Sequence, residues 1–263
     1  MNYETIVVAE DERGVVSLSL NLPEKRNALS AVMIAELTDV AARVNGSHTA
    51  RAVVLSGAGD LFCAGGDLTW MMAQVRADRE TRIKEASKLA HMLQALNTMR
   101  APLIGKIHGA AFGGGLGITA ICDVAIAVEG TKFGFTETKL GIIPATIGPY
   151  VVNRMGEGCA RRVFMSARIF DANEARTLGL VTAVVRADEA GAAVEAEVAP
   201  YLKVAPGAVG RAKALIRTLG PRIDDAAITE TVKALADAWE SKEAEDGIAA
   251  FLEKRPPPWA QGK

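Results

Sequence analysis

Ala110-Ala-Phe-Gly-Gly-Gly-Leu-Gly117 decides the reading of this chain, together with Leu61-Phe-Cys-Ala-Gly-Gly-Asp-Leu68. Each stretch follows an apolar, strand-like run, and each puts glycines where a helix can begin. Two such turns can aim bare backbone N–H groups at one point, a geometry that stabilises a developing oxyanion. A lone acidic residue, Glu137, follows about twenty positions on. For either turn alone, tight turning and close helix–strand packing are the commoner uses of glycine. The pair together points to a site.

Outward from these turns the chain reads as strands and helices in alternation. Thr5–Glu10 and Val15–Asn21 predict a hairpin around Asp11-Glu12-Arg13-Gly14. Ser30 is placed to cap a helix carrying Met33, Leu37, Val40 and Val44 on one face. Ala52–Ser56 is a short apolar run ending at Gly57, as a buried strand would. A helix is expected from Asp78 to about Arg100, with Ala86, Leu89, Leu93 and Leu96 on its apolar side. Pro102–His108, Asp123–Val128 and Lys132–Phe135 return to strand, with a helix near Leu116–Ile121 between the first two. This order predicts an α/β fold with helices packed on sheets. Beyond about Asp188 the pattern is helical only, in Ala205–Leu219, Asp224–Trp239 and Ser241–Lys254. Pro256-Pro-Pro-Trp259 ends regular structure, and no repeat is evident in the sequence.

Composition narrows the function. The chain has 263 residues, 49% hydrophobic and 23% charged, and a net charge of −1, which fits a globular protein with a sizeable core. There is no basic stripe interleaved with aromatics, so nucleic-acid binding is not expected. Cys63, Cys122 and Cys159 are an odd number at wide spacing, without a zinc pattern, and suggest buried thiols in a reducing compartment. No signal peptide is read at the start, and no apolar run reaches the ~18 residues of a membrane span, so a cytoplasmic location is expected.

Gly113-Gly-Gly-Leu-Gly117 lacks the spacing of a dinucleotide fingerprint, and no phosphate loop ending in Gly-Lys-Ser/Thr occurs, which disfavours NAD and ATP chemistry. His48, His91 and His108 are scattered and make neither a metal site nor a triad. Glu137 lies in Phe133-Gly-Phe-Thr-Glu-Thr-Lys-Leu-Gly141, just after a strand. It is either a carboxylate shielded by apolar neighbours, with its pKa raised toward the range of proton transfer, or a surface glutamate paired with Lys139 or Lys132.

In order and spacing, these segments resemble the crotonase, or enoyl-CoA hydratase/isomerase, superfamily. The resemblance runs through Leu22-Pro-Glu-Lys-Arg-Asn-Ala-Leu29, Phe62–Leu68, Gly109–Gly115, Cys122-Asp123, Phe133-Gly134, Glu137, Leu140–Pro144, Ala172–Leu180 and Ala250–Arg255. It implies a spiral of ββα units over residues 1–187 holding an acyl-CoA site, and a helical C-terminal oligomerisation region over 188–263 that builds homotrimers or homohexamers. It implies no metal and no cofactor beyond the CoA moiety of the substrate. The thioester oxygen would sit on the N–H groups of Ala64 and Gly114, with Glu137 as the acid–base residue. Lys25, Arg26 and Ala28 would face the CoA nucleotide, and Ala64, Gly66, Asp67 and Leu68 would border the CoA chain. Phe251 and Lys254, from this chain or a neighbouring subunit, would hold the pantetheine and phosphate end. Trp70, Met71, Pro144 and Tyr150 are candidates for the acyl group, and Tyr150 or Arg154 for a carboxylated tail; packing and ion-pair roles are the alternatives.

One departure bears on mechanism. Hydratases of the best-known type place a first glutamate where this chain has Gly117. Two sorts of relative share the single-carboxylate pattern: some Δ3-Δ2-enoyl-CoA isomerases, and a bacterial set resembling methylglutaconyl-CoA hydratases of leucine breakdown. Pro144-Ala-Thr-Ile-Gly-Pro-Tyr-Val-Val152 looks like the second set, so hydration of a 2-enoyl-CoA is the expected activity, with isomerisation or non-catalytic acyl-CoA binding as alternatives.

Overall fold

The residues flanking Asp11–Gly14 form an antiparallel hairpin, β1 (Ile6–Glu10) with β2 (Val15–Leu20), Val8 facing Leu18. The computed structural model describes residues 2–260 of the chain. Ser30 Oγ accepts the Met33 N–H and starts α1 (Ala31–Gly46), which buries Met33, Leu37, Val40 and Val44. β3 (Ala52–Gly57) then runs parallel to β2. Asp67 and Asp78 cap α2 (Leu68–Arg76) and α3 (Arg79–Asn97) in the same way, each carboxylate accepting a backbone N–H.

Next come β4 (Leu103–Ile107), β5 (Ala110–Phe112) and α4 (Gly114–Ile121), then β6 (Val124–Val128), β7 (Lys132–Gly134), a 3-10 turn (Glu137–Leu140) and α5 (Gly148–Met155). Shorter pieces follow: α6 (Glu157–Phe164), β8 (Phe170–Asp171), α7 (Ala172–Thr177), β9 (Ala183–Val185) and α8 (Ala190–Val198). The chain closes with α9 (Pro206–Leu219), α10 (Asp225–Trp239) and α11 (Lys242–Leu252).

A six-stranded sheet has the order β1-β2-β3-β4-β6-β9, parallel from β2 onward, and a three-stranded sheet has the order β5-β7-β8. Twice in succession the chain gives one strand to the large sheet and the next to the small one, then turns into helix: β4, β5, α4 and then β6, β7, α5. This is the expected spiral of ββα units. One face of the large sheet packs Leu18, Leu55 and Leu103 against Leu37 of α1 and Leu93 of α3. Its other face packs Val15, Ile104 and Ile126 against Val194 and Val198 of α8. Thus α8, which follows the expected boundary at 188, covers the sheet, and α9, α10 and α11 come after it.

This last portion is tied down at two places. Ile228, Val232, Leu235 and Trp239 of α10 are buried against Ala86 and Ala90 of α3, as their spacing predicts. α11 lies across the Glu137–Leu140 turn, backbone against backbone. A Cβ added at Gly247 would stand 2.6 Å from the Leu140 carbonyl, so only glycine permits this approach. No helix among the described residues is long and apolar enough to cross a membrane.

Candidate active site

Both glycine turns are held side by side by the sheet. Cys63 N–H donates to Ala110 O (3.2 Å) and Phe112 N–H to Cys63 O (3.0 Å), so the Leu61–Asp67 loop runs along β5. Leu29 holds the loop from its other side, donating to Gly65 O (2.7 Å) and accepting from Asp67 N–H (3.1 Å). Gly113, at φ 48° and ψ −117°, turns β5 into α4 and donates to Gly134 O at the end of β7 (3.1 Å). That bond fixes the distance between the start of α4 and the strand that delivers Glu137.

The donors available for an oxyanion differ from those expected. The Ala64 N–H is engaged: it donates to Arg26 O at 3.0 Å. Two residues on, the Gly66 N–H meets no acceptor among the described residues, and neither does the Gly114 N–H at the first position of α4. Of the first turn it is therefore the Gly66 N–H, not the Ala64 N–H, that is free to meet an oxyanion. The Gly114 N–H adds the positive end of α4.

Glu137 stands beside the second donor. A Cβ added at Gly113 would lie 3.1 Å from Glu137 Oε1. Glu137 Oε2 is buried with no hydrogen-bond partner, so neither Lys139 nor Lys132 pairs with it. Burial pushes the carboxyl up to about 7, against a smaller opposing effect of a backbone N–H. A carboxyl poised near neutrality can both take and return a proton. Cys63, on the first turn, is inert by contrast, because burial pushes its thiol up to about 12.

The position of the missing first glutamate is closed. A Cβ on Gly117 would overlap Ile147 Cγ2 and stand 3.0 Å from Ile147 Cβ, with Leu93 3.6 Å away. An apolar wall occupies the place of a second carboxylate. Accordingly G117E is expected to gain no hydratase activity and to lose about 1–3 kcal/mol of stability by overpacking. The double variant G117E/I147A should recover much of that loss, as read by paired thermal melts; equal melting temperatures for G117E and the parent chain would contradict the clash.

These groups open onto one cavity of ≈ 700 Å³. Of the expected CoA contacts, Lys25, Arg26, Ala28, Ala64, Gly66, Asp67, Leu68 and Phe251 border it, Phe251 from this chain itself. Lys254 does not border it, and Asp67 spends its carboxylate capping α2. Trp70, Met71 and Pro144, the candidates for the acyl group, also border the cavity, with Leu89, Ile142, Ile147, Leu235 and Trp239.

Tyr150 is not there. It faces α3, its hydroxyl donating to Gln94 Oε1 (3.2 Å) and Ala90 O (3.3 Å), and it borders a second cavity of ≈ 580 Å³. Arg154 is likewise spent: it donates to the carbonyls of Gly179, Leu180, Cys122 and Asp123 and to Thr182 Oγ1. Neither meets an acyl tail. The α10 residues Leu235 and Trp239 were legible only as core, since periodicity does not say what a buried face looks onto. Among the described residues no cluster of three or more His, Cys, Asp or Glu could hold a metal.

Two unengaged N–H groups and one carboxylate with a buried, partnerless oxygen on a mostly apolar cavity, within a spiral of ββα units, define the crotonase class. Comparison agrees: the profile of the enoyl-CoA hydratase/isomerase family matches residues 10–262, and the chain belongs to that family. A putative enoyl-CoA hydratase of Thermus thermophilus is 33% identical over 94% of this chain and 98% of its own. The mitochondrial methylglutaconyl-CoA hydratase of Mus musculus is 29% identical over 94% of this chain and 80% of its own. The solved structure of Pseudomonas aeruginosa AtuE is 36% identical, with a TM-score of 0.80, over 98% of this chain and all (100%) of that one. The protein is an enzyme of the enoyl-CoA hydratase kind.

Proposed function

We propose that this enzyme adds water reversibly across the double bond of a 2-enoyl-CoA thioester with Glu137 as its sole carboxylate, and that 3-methylglutaconyl-CoA is among its substrates. The observation that carries the reading is the buried, partnerless Oε2 of Glu137, whose carboxylate stands against Gly113 next to the free N–H of Gly114. The thioester oxygen accepts hydrogen bonds from Gly66 and Gly114. Glu137 takes one proton from water while the water oxygen bonds to the β-carbon. The electron pair of the double bond moves toward the α-carbon and thioester oxygen, where the two N–H groups meet the developing charge. The carboxyl then returns its proton to the α-carbon. One H and one OH are added, Glu137 ends as it began, and no cofactor beyond the substrate's own CoA is needed.

The wall formed by Ile147 and Leu93 favours one other reading. Isomerisation of a 3-enoyl thioester needs a base that moves a proton from the α- to the γ-carbon and needs no water. Incubation with crotonyl-CoA, 3-methylglutaconyl-CoA and a 3-enoyl-CoA, with products identified by mass, separates the two. Gain of 18 mass units from either 2-enoyl thioester is the expected result. A shifted double bond with no gain of water would replace hydration by isomerisation.

A homotrimeric or homohexameric assembly is part of the same proposal. Leu215, Ile216 and Leu219 on α9 are 57%, 69% and 78% exposed, an apolar strip suited to burial between copies. Light scattering of the purified protein tests it; a monomer would defeat it.

A further inference from the structure

Among the described residues, the cations bordering the active-site cavity are Lys25, Arg26 and Lys139. Lys25 and Arg26 sit at the short turn Pro23–Lys25, beside Ala28, and so serve the nucleotide end. Lys139 belongs elsewhere. It lies on the same 3-10 turn as Glu137, two residues on, and borders the same cavity. The chain continues from it into Ile142, Ile143 and Pro144, which give the cavity wall beside it an apolar lining. Lys139 is exposed, and no carboxylate of the described residues lies within ion-pair distance of it. Of the two acidic residues bordering the cavity, Asp67 caps α2 and Glu137 stands unpaired against Gly113.

An unpaired ammonium at the edge of an apolar chamber is complementary to one kind of ligand. It fits an acyl group that is apolar along its length and anionic at its far end. The lysine stem can lie along Ile142 and Ile143 while the ammonium meets the charge. A neutral acyl tail gains nothing from it. A carboxylated tail gains a charge-assisted hydrogen bond there.

We propose that Lys139 determines specificity by receiving a carboxylate at the distal end of the acyl chain, so that the preferred substrates are dicarboxylic enoyl thioesters. This rests on the assignment of the cavity as the acyl-CoA site. The shared chemistry is an anion, and a phosphate of CoA is the other source.

Saturated analogues separate the sources without turnover. Calorimetric binding of glutaryl-CoA and butyryl-CoA to the intact protein should show glutaryl-CoA bound at least about tenfold more tightly. In K139Q the two affinities should come within about twofold of each other, and K139R should keep most of the preference. Equal weakening of both ligands in K139Q would assign Lys139 to a CoA phosphate and overturn the proposal. So would a parent protein that binds both analogues alike. Turnover is scored separately. A protein that prefers glutaryl-CoA but adds no water to glutaconyl-CoA or crotonyl-CoA would defeat hydration and leave the role of Lys139 standing.

Discussion

E137Q is expected to lower kcat by about 10²–10⁴-fold, the range general acid–base groups contribute, while leaving the affinity for CoA near that of the parent. The amide keeps the shape of the side chain but can neither take a proton from water nor return one to carbon. Retention of a tenth of the activity would remove Glu137 from the mechanism. The same substitution carries a second, opposite signature. The Glu137 carboxyl is raised from 4.5 to about 7 because burial disfavours its charged form. Below pH 4.5 it is protonated in both the folded and unfolded chain and has no effect on stability. As pH rises, the unfolded chain ionises first, so the folded state loses stability until its own carboxyl ionises near 7. Above that pH the full penalty applies, on the order of 3 kcal/mol. E137Q removes it. The inactive variant should therefore melt higher than the parent at pH 8, by roughly 5 °C or more, with the gap closing toward pH 4.5. Activity of the parent should fall on the acid side of pH 7, where the carboxylate is lost.

G113A is expected to cost about 100-fold in kcat/KM, because two requirements meet at one Cα. Its φ of 48° with ψ of −117° suits glycine and strains any residue with a Cβ, at about 1–3 kcal/mol. The new methyl would also stand 3.1 Å from Glu137 Oε1, forcing either the carboxylate or the turn that carries Gly114 to move. G130A supplies the control. Gly130 also has a positive φ, 80°, but a Cβ there meets nothing within 4 Å. G130A should lower the melting temperature with little change in kcat. If G113A and G130A lowered activity equally, backbone strain alone would explain the first.

The elements that local rules govern were legible. Ser30 and Met33 to Val44 specify a capped amphipathic helix within 15 residues, and the β1–β2 hairpin follows from its turn. Glu137 was legible as a candidate because it follows a strand and lies downstream of two glycine turns. Its state was not, since the choice between a shielded and a paired carboxylate depends on what packs over it. Ala64 and Gly66 lie two residues apart on one turn, and only the distant Arg26 carbonyl, which takes the Ala64 N–H, decides between them. Tyr150 and Arg154 looked available because a helix sequence does not say which neighbour each face meets. Packing against α3 and the carbonyls of Cys122 and Asp123 used both. The strands β8 and β9 have two and three residues, too short for periodicity to register.

The contact of Gly247 with Leu140 sets an order of events for a chain leaving the ribosome. Strands, glycine turns and Glu137 itself emerge and can fold well before residues 242–252 are made. Until then the face of the Glu137–Leu140 turn that α11 covers is bare, and Phe251 is absent from the cavity wall. The wall around Glu137 is thus complete only after residues 242–252 have been added, and a chain stopped before them carries the glutamate in an unfinished cavity.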